Sequence, residues 1–408
     1  MSESFKTKHR KKDSAFIRNR ILSFVELVVI QINRLVLSLN VELENFLDLI
    51  DSNQSYSKQA FSKARQLFSH SAFIELNKIY IQGFYEEDSY LKYKDDYILL
   101  AVDGSLCQLP ESKEVADYFI RWKNHLPTEG MPMARVSLLY DVLNQTVIDA
   151  SISPNTFGEI TLFKKHLKET TSFLEQLKTP IIFLMDRGYP SFELMQEIKN
   201  KENYFVIRCK ASYRKEVIEF VNKNINEDEL LLIEGKRKMN VRIVRILLSS
   251  NQYEYLLTNT DFDINELSDL YFKRWGIETF YEFLKNKLQL ENFSSKTKEG
   301  IFQDFFVSIL IANISSLLVN DAQKQLDQEV SEKRKYSQKV NKNIAIGIVR
   351  NNIAKLLMSD TGKTETIIAR LITKIKRHTI DLKPDRSFVR RKLKRSKRKY
   401  HIAQKRGF

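Results

Sequence analysis

The first 95 residues place apolar and polar positions at helical spacing, interrupted by one polar gap, DSNQSYS from Asp51 to Ser57. Ser57 is a suitable N-cap for the segment that follows, SKQAFSKARQLF, which carries Lys58, Lys63 and Arg65 between apolar residues. From Tyr97 the spacing becomes that of strands. Residues 98–102 form one, and 135–143 with 146–151 form a hairpin about Asn144 and Gln145. A helix over 159–177, a strand over 181–185, a helix over 192–200 and a strand over 204–209 then follow. The next fifty or so residues keep a β pattern at 230–234, 240–247 and 253–257, separated by GKRK and SSNQ turns. Beyond Leu290 the pattern is helical again over 302–319, 341–358 and 365–378.

Between the β-patterned stretch and those last helices lies YFKRWGIETFYEFLK, Tyr271 to Lys285, whose spacing predicts one helix. At about 100° per residue, Tyr271, Arg274, Glu278 and Lys285 fall within an arc of roughly 60°, while Ile277, Phe280, Leu284 and Leu288 gather on another side. A polar stripe of this kind is most often only a solvated face. Two aspartates change that weighting. Asp103 ends the run YILLAV and precedes GSL; Asp186 ends PIIFLM and precedes RGYPS. Each apolar run has the length of a buried strand, so each carboxylate stands at the rim of a sheet, where it can hold a metal without being buried unpaired. Together with Glu278 they supply three hard oxygen ligands of the kind Mg²⁺ takes in phosphoryl chemistry. Trp275, at the edge of the stripe, and Tyr189 read as packing residues.

These segments resemble the DDE transposases of bacterial insertion sequences, in particular the insertion sequence four family with its Y-x2-R-x3-E-x6-K signature, filled here by Tyr271, Arg274, Glu278 and Lys285. The likeness extends to AVDGS around Asp103, to ARVSLLYDVLNQTVIDASI from Ala134, to MDRGYPS around Asp186, to EYLLTN from Glu254 and to QDFF from Gln303. The order of three strands, helix, strand, helix, strand is that of an α/β, ribonuclease H-like mixed-sheet catalytic core, here with an inserted β subdomain and flanking helical N- and C-terminal regions. In that order the first and fourth strands are neighbours, which would bring Asp103 and Asp186 together. The expected organisation is a helical DNA-binding region over 1–95, the core over 96–210 and 264–330, the β insertion over 211–263, a helical region over 331–382 and a basic tail over 383–408.

The resemblance implies cut-and-paste DNA transposition, with a hairpin at the excised end and a synaptic homodimer on terminal inverted repeats and target DNA. In this assignment two Mg²⁺ ions, replaceable by Mn²⁺, are held with Asp103 bridging and with Asp186 and Glu278 completing one site each. Arg274, Lys285 and Tyr271 would grip phosphate beside them. Lys58, Lys63 and Arg65 would contact DNA from a helix-turn-helix. The rivals are a ribonuclease H-like nuclease that cuts without joining and a DNA-binding regulator without chemistry.

Charge supports a polyanionic partner. The 408 residues carry a formal net charge of +15, and residues 383–408 alone hold 12 Lys and Arg against one Asp. So charged a segment cannot bury enough apolar surface to fold by itself. Two cysteines, Cys107 and Cys209, are too few for a disulfide framework, and the six histidines lack ligand spacing, which suits a reducing cytoplasm and a protein with no zinc. The apolar stretches 21–39 and 301–319 are interrupted by polar residues, so helices of a protein interior are expected there and no membrane span.

Overall fold

The computed structural model describes the chain apart from residues 18–21, 34–37, 54, 88, 123–129, 249, 330–335 and 384–408. All of the basic tail except Lys383 therefore lies outside the described residues. Five helices come first: α1 Glu3–His9, α2 Phe24–Asn33, α3 Leu39–Leu49, α4 Lys58–Arg65 and α5 Ser71–Glu86. Strand β1 Ile98–Gln108, helix α6 Lys113–Phe119 and strands β2 Arg121–Trp122, β3 Met131–Asp141 and β4 Thr146–Pro154 follow. Next come α7 Glu159–Gln176, β5 Ile181–Met185, α8 Phe192–Asn200, β6 Tyr204–Cys209, α9 Lys215–Lys223, β7 Glu227–Glu234, β8 Arg237–Leu247 and β9 Tyr253–Thr258. The chain closes with α10 Ile264–Phe272, α11 Trp275–Asn286, α12 Lys298–Gln328, β10 Gln338–Val340, α13 Lys342–Arg350, α14 Ile353–Met358, α15 Thr361–Lys376 and β11 Thr379–Asp381. Helices α6 and α9 and the length of β1 beyond residue 102 are not signalled by the sequence pattern.

These elements divide into two compact units. One comprises Lys78–Cys107 and Met133–Phe283, the other Met1–Asn77, Gln108–Pro132 and the chain from Leu284 onward. The first unit is built on a sheet in the order β4-β3-β1-β5-β6-β9-β8-β7. Its first five strands have the ribonuclease H-like order expected from the sequence. β1 and β5 are parallel, with Ile98 opposite Ile181 and Val102 opposite Met185. All five residues of β5 are buried, as a continuous apolar run flanked on both faces requires. The hairpin of β3 and β4 turns at Gln145, whose φ of 54° is the left-handed conformation that such a tight connection needs. The insertion is β, and its strands do not stand apart: β9 pairs antiparallel with β6, and β8 and β7 continue the same sheet outward.

Helix α7 is anchored to that sheet by His166, whose Nδ1 lies 2.6 Å from Asp149 and Nε2 3.0 Å from the Ser137 hydroxyl. A serine, a histidine and an aspartate in sequence would be a nucleophilic triad if a substrate could reach the hydroxyl. Ser137 and His166 are fully buried in the sheet-helix interface, so the trio is structural.

In the second unit the long α12 has the length and composition to cross a membrane, but 72% of its apolar window is buried within the protein, as for a core helix. Leu318, Ala322 and Leu326 on its second half pack with Val349 of α13 and Leu371 and Ile375 of α15. Its amino end is held by charge. Glu299 accepts hydrogen bonds from the His70 backbone N–H at 2.7 Å and pairs with the His70 ring at 2.9 Å and with Lys11 at 3.1 Å. Burial opposes ionisation of Glu299, but the His70 hydrogen bonds and charge, with Lys11, outweigh it and bring the carboxyl down to about 2. A carboxyl depressed from 4.5 gives its full stabilisation above that value and loses it as the pH falls through about 2. Glu299→Gln should therefore cost ~2 kcal/mol in urea unfolding near neutral pH. The gap between variant and parent should close as the pH is lowered below 4.5, and a gap independent of pH would show that packing rather than charge is lost.

Candidate active site

The site lies wholly within the sheet unit. Because Val102 and Met185 are paired, the next residues of the two strands, Asp103 and Asp186, emerge side by side at the sheet's carboxyl edge. Asp103 is fixed at its own backbone: its carboxylate accepts the Gly104 N–H at 2.9 Å, and its carbonyl accepts the Tyr281 hydroxyl at 2.9 Å. Tyr281, fully desolvated together with Ile277 and Phe280 on the inward face of α11, is thus the bolt that ties this helix to β1. Phe280 adds a ring contact to Tyr140 of β3 at 4.5 Å. That packing sets Glu278, one turn before, within electrostatic reach of Asp103.

Burial pushes the Asp103 carboxyl up to about 6, with Arg274 and the Gly104 N–H working against the rise and Glu159 and Glu278 with it. Asp186 goes the other way. Burial would raise it, but Arg208, whose Nε donates to Oδ1 at 2.6 Å, holds it below the usual carboxylate range. Arg208 is itself shared with Glu254 of β9, so the inserted strands reach the site through this one guanidinium.

The signature residues are not on one helix. α10 ends at Phe272 and α11 begins at Trp275; between them Arg274, Gly276 and Ile277 bond three residues back, to Tyr271, Lys273 and Arg274. The tighter turn breaks the stripe. Tyr271 is buried and its hydroxyl approaches Asp186 at 3.4 Å; Arg274 is 2% exposed, donates to Glu278 at 2.6 Å and lies over the Tyr271 ring at 5.5 Å. In this structure both side chains are buried and turned onto carboxylates, away from the open face on which a grip on phosphate was expected. Lys285 belongs to the other unit, where it pairs with Glu291 at 3.7 Å. Trp275 is 45% exposed and its neighbour Phe272 72%, so Trp275 is not the packing residue its position suggested. Tyr189 is one, fully buried.

Among the described residues no three His, Cys, Asp or Glu side chains stand close enough together to hold a metal ion. Asp186 and Glu278 are instead turned onto Arg208 and Arg274. Arg208, Glu254, Glu159 and Tyr281 were not singled out from the sequence, although Glu254 lies in EYLLTN and Tyr281 in YFKRWGIETFYEFLK.

Of the N-terminal candidates, Lys58 and Lys63 are exposed on α4. Arg65 is not available to DNA. It is 8% exposed in the helical unit, donating to Gln303 at 2.7 Å, Ser294 at 2.7 Å, the Gly300 carbonyl at 2.9 Å and Asp304 at 2.8 Å. Phe61 on the same face of α4 is buried too, and the paired carboxylate makes the buried guanidinium tolerable.

A sheet of this strand order, with one aspartate just past the end of β5 and another on β1 where its pairing with β5 stops, defines a ribonuclease H-like protein with a carboxylate site. The chain belongs to the family described as the transposase DDE domain, whose model matches residues 94–314, a little over half of the sequence. It is similar to a protein of Synechocystis sp. assigned as the transposase for insertion sequence element IS4SA, 27% identical over 147 residues, covering 34% of this chain and 41% of the relative. It is also similar to the Escherichia coli K12 transposase InsG of insertion sequence element IS4, 23% identical over 232 residues, covering 53% and 51%. The chain thus spans about half the length, or less, of these curated relatives. Among solved structures there is a distant likeness to the cryo-EM structure of a piggyBac transposase synaptic complex with hairpin DNA. Its TM-score is 0.44 at 14% identity, covering 90% of this chain and 80% of that one.

Proposed function

We propose that the chain is a DNA transposase that binds the ends of its insertion sequence, cleaves strands there and joins them to target DNA. The observation that carries this reading is the in-register pair Asp103 and Asp186, with the Arg274 that holds Glu278 acting electrostatically on both. Family membership and the transposase names of the relatives support it.

The donor set fits a hard divalent cation. Asp103 is a carboxyl made costly to ionise by its burial, a cost that a bound cation would offset. Asp103, Asp186 and Glu278 would hold Mg²⁺, with Mn²⁺ as a substitute, and the cation would activate the attacking oxygen and stabilise the leaving one. The protein's own part is positioning. Arg208 and Arg274 aim two carboxylates, and Tyr281 fixes the third through its backbone. In this reading double-stranded DNA, as inverted repeats and as target, meets the exposed Lys58 and Lys63, Lys285 and the basic tail, and a homodimer brings two ends together.

The test is an incubation of the protein with Mg²⁺, a duplex carrying the DNA that flanks its coding region, and a target plasmid. Nicks at the element ends and joined products in the plasmid are expected. Nicks without joining would make it a nuclease, and binding without nicks a regulator.

A further inference from the structure

Two glycines follow the two aspartates, Gly104 directly after Asp103 and Gly188 two residues after Asp186. Neither is required by the backbone, since the glycines with positive φ among the described residues are Gly130 and Gly235. What they share is a neighbour. A Cβ on Gly104 would stand 3.2 Å from Glu159 Cγ, and a Cβ on Gly188 would collide with Glu159 Oε2. Both glycines, one within β1 and one in the turn after β5, are therefore open toward one side chain, the first residue of α7, which occupies the space that side chains there would fill. Glu159 is held in place by Arg135 of β3, Nη1 to Oε1 at 3.1 Å, and stays 31% exposed.

A second feature points to something missing at this place. The Tyr189 hydroxyl is buried without a hydrogen-bond partner and within electrostatic reach of Asp103, Glu159, Arg135 and Asp186. The Arg135 Nε is buried and unpartnered as well. Buried polar atoms are almost always satisfied, so the orphaned Tyr189 hydroxyl among these carboxylates marks a place for a group that can donate to its oxygen, such as a water bound to a cation.

We infer that Glu159 is a fourth carboxylate of this site and ligates the divalent cation, directly or through a bound water, with Arg135 as its partner when the cation is absent. The inference rests on the proposed metal-dependent function and assigns that site one residue more than its three carboxylates. The glycines then have a common purpose: they give the Glu159 carboxylate access to the oxygens of Asp103 and Asp186. Arg135 holds it aimed, as a partner behind a metal ligand does.

The test is Mn²⁺ binding followed by electron paramagnetic resonance on the full chain, with and without duplex DNA, which needs no turnover. Glu159→Gln keeps the size of the side chain and its hydrogen bond to Arg135. It should weaken Mn²⁺ binding roughly 10- to 100-fold. Glu159→Asp, which keeps the charge but withdraws it, should recover part of the loss, and Glu169→Gln on the exposed side of α7 should change nothing. Thermal midpoints identical to the parent show that folding is not what is being read. If Asp103→Asn abolishes Mn²⁺ binding while Glu159→Gln leaves it within about twofold, the fourth ligand is wrong and the three-carboxylate site stands. If the parent binds no Mn²⁺ in either condition, or Asp103→Asn binds it normally, the metal site itself is wrong and this inference falls with it.

Discussion

Replacing Asp103 with asparagine is expected to slow metal-dependent strand cleavage about a thousand-fold, a loss of ~4 kcal/mol of transition-state stabilisation. The substitution changes little else. Asparagine is isosteric, its oxygen can still accept the Gly104 N–H, and the Asp103 carbonyl still receives the Tyr281 hydroxyl. The carboxylate stands on a parallel strand pair with no freedom to be replaced by a neighbour, and removing a charge from a desolvated place cannot harm folding. Duplex binding and the thermal midpoint should therefore match or exceed those of the parent. Single-turnover cleavage of an element-end duplex measures the rate, and a gel-shift titration with the same duplex measures binding. A variant that cleaves within about tenfold of the parent would remove Asp103 from the chemistry; one that loses binding and stability together would make it a structural residue.

The two aspartates were legible because their surroundings are local. A run of buried residues ending at a carboxylate and a glycine turn describes Asp186 after β5; β1 runs on through Asp103 and Gly104 to Gln108, but its pairing with β5 stops at Val102, and strand order supplies the rest. Glu278 was legible for a similar reason, on a short stretch of helical spacing. The residues that hold these carboxylates were not. Arg208 and Glu254 lie on strands whose alternation marks them only as polar positions. Pairing β6 with β9, which the sequence pattern does not specify, is what puts them together beside Asp186. Glu159 and Arg135 meet across α7 and β3 in the same way.

Arg274 shows a different limit. A helical wheel gives its direction only if the helix is continuous, and the three-residue turn before Gly276 breaks it. The i, i+4 contact of Arg274 with Glu278 is the one periodicity gives, but the guanidinium is buried rather than on an open stripe. Periodicity says which way a residue points from its own axis; burial depends on what the rest of the chain brings to meet it.

Arg65→Ala is expected to destabilise the helical unit by about 3–5 kcal/mol, the usual cost of removing one member of a buried, hydrogen-bonded ion pair. The reason is in the partners it would leave. Asp304 would lose its cation while still receiving the Ser294 N–H and hydroxyl, and Gln303 and the Gly300 carbonyl would each lose a donor in a dry interior. Gln303 also bonds the carbonyls of Arg65 and Phe68, so the loss spreads from α12 into the end of α4. Gln303 and Asp304 come from the QDFF segment, more than two hundred residues away in sequence. Nothing in SKQAFSKARQLF distinguishes this arginine from the lysines that stay in solvent. Lys should not replace Arg65, because a single ammonium cannot supply four donors in a plane. Thermal unfolding of the Ala and Lys variants, with duplex affinity measured well below their midpoints, separates the two roles. Lowered midpoints with affinity preserved at low temperature are expected; an unchanged midpoint with weakened DNA binding would return Arg65 to the DNA-contacting face of α4.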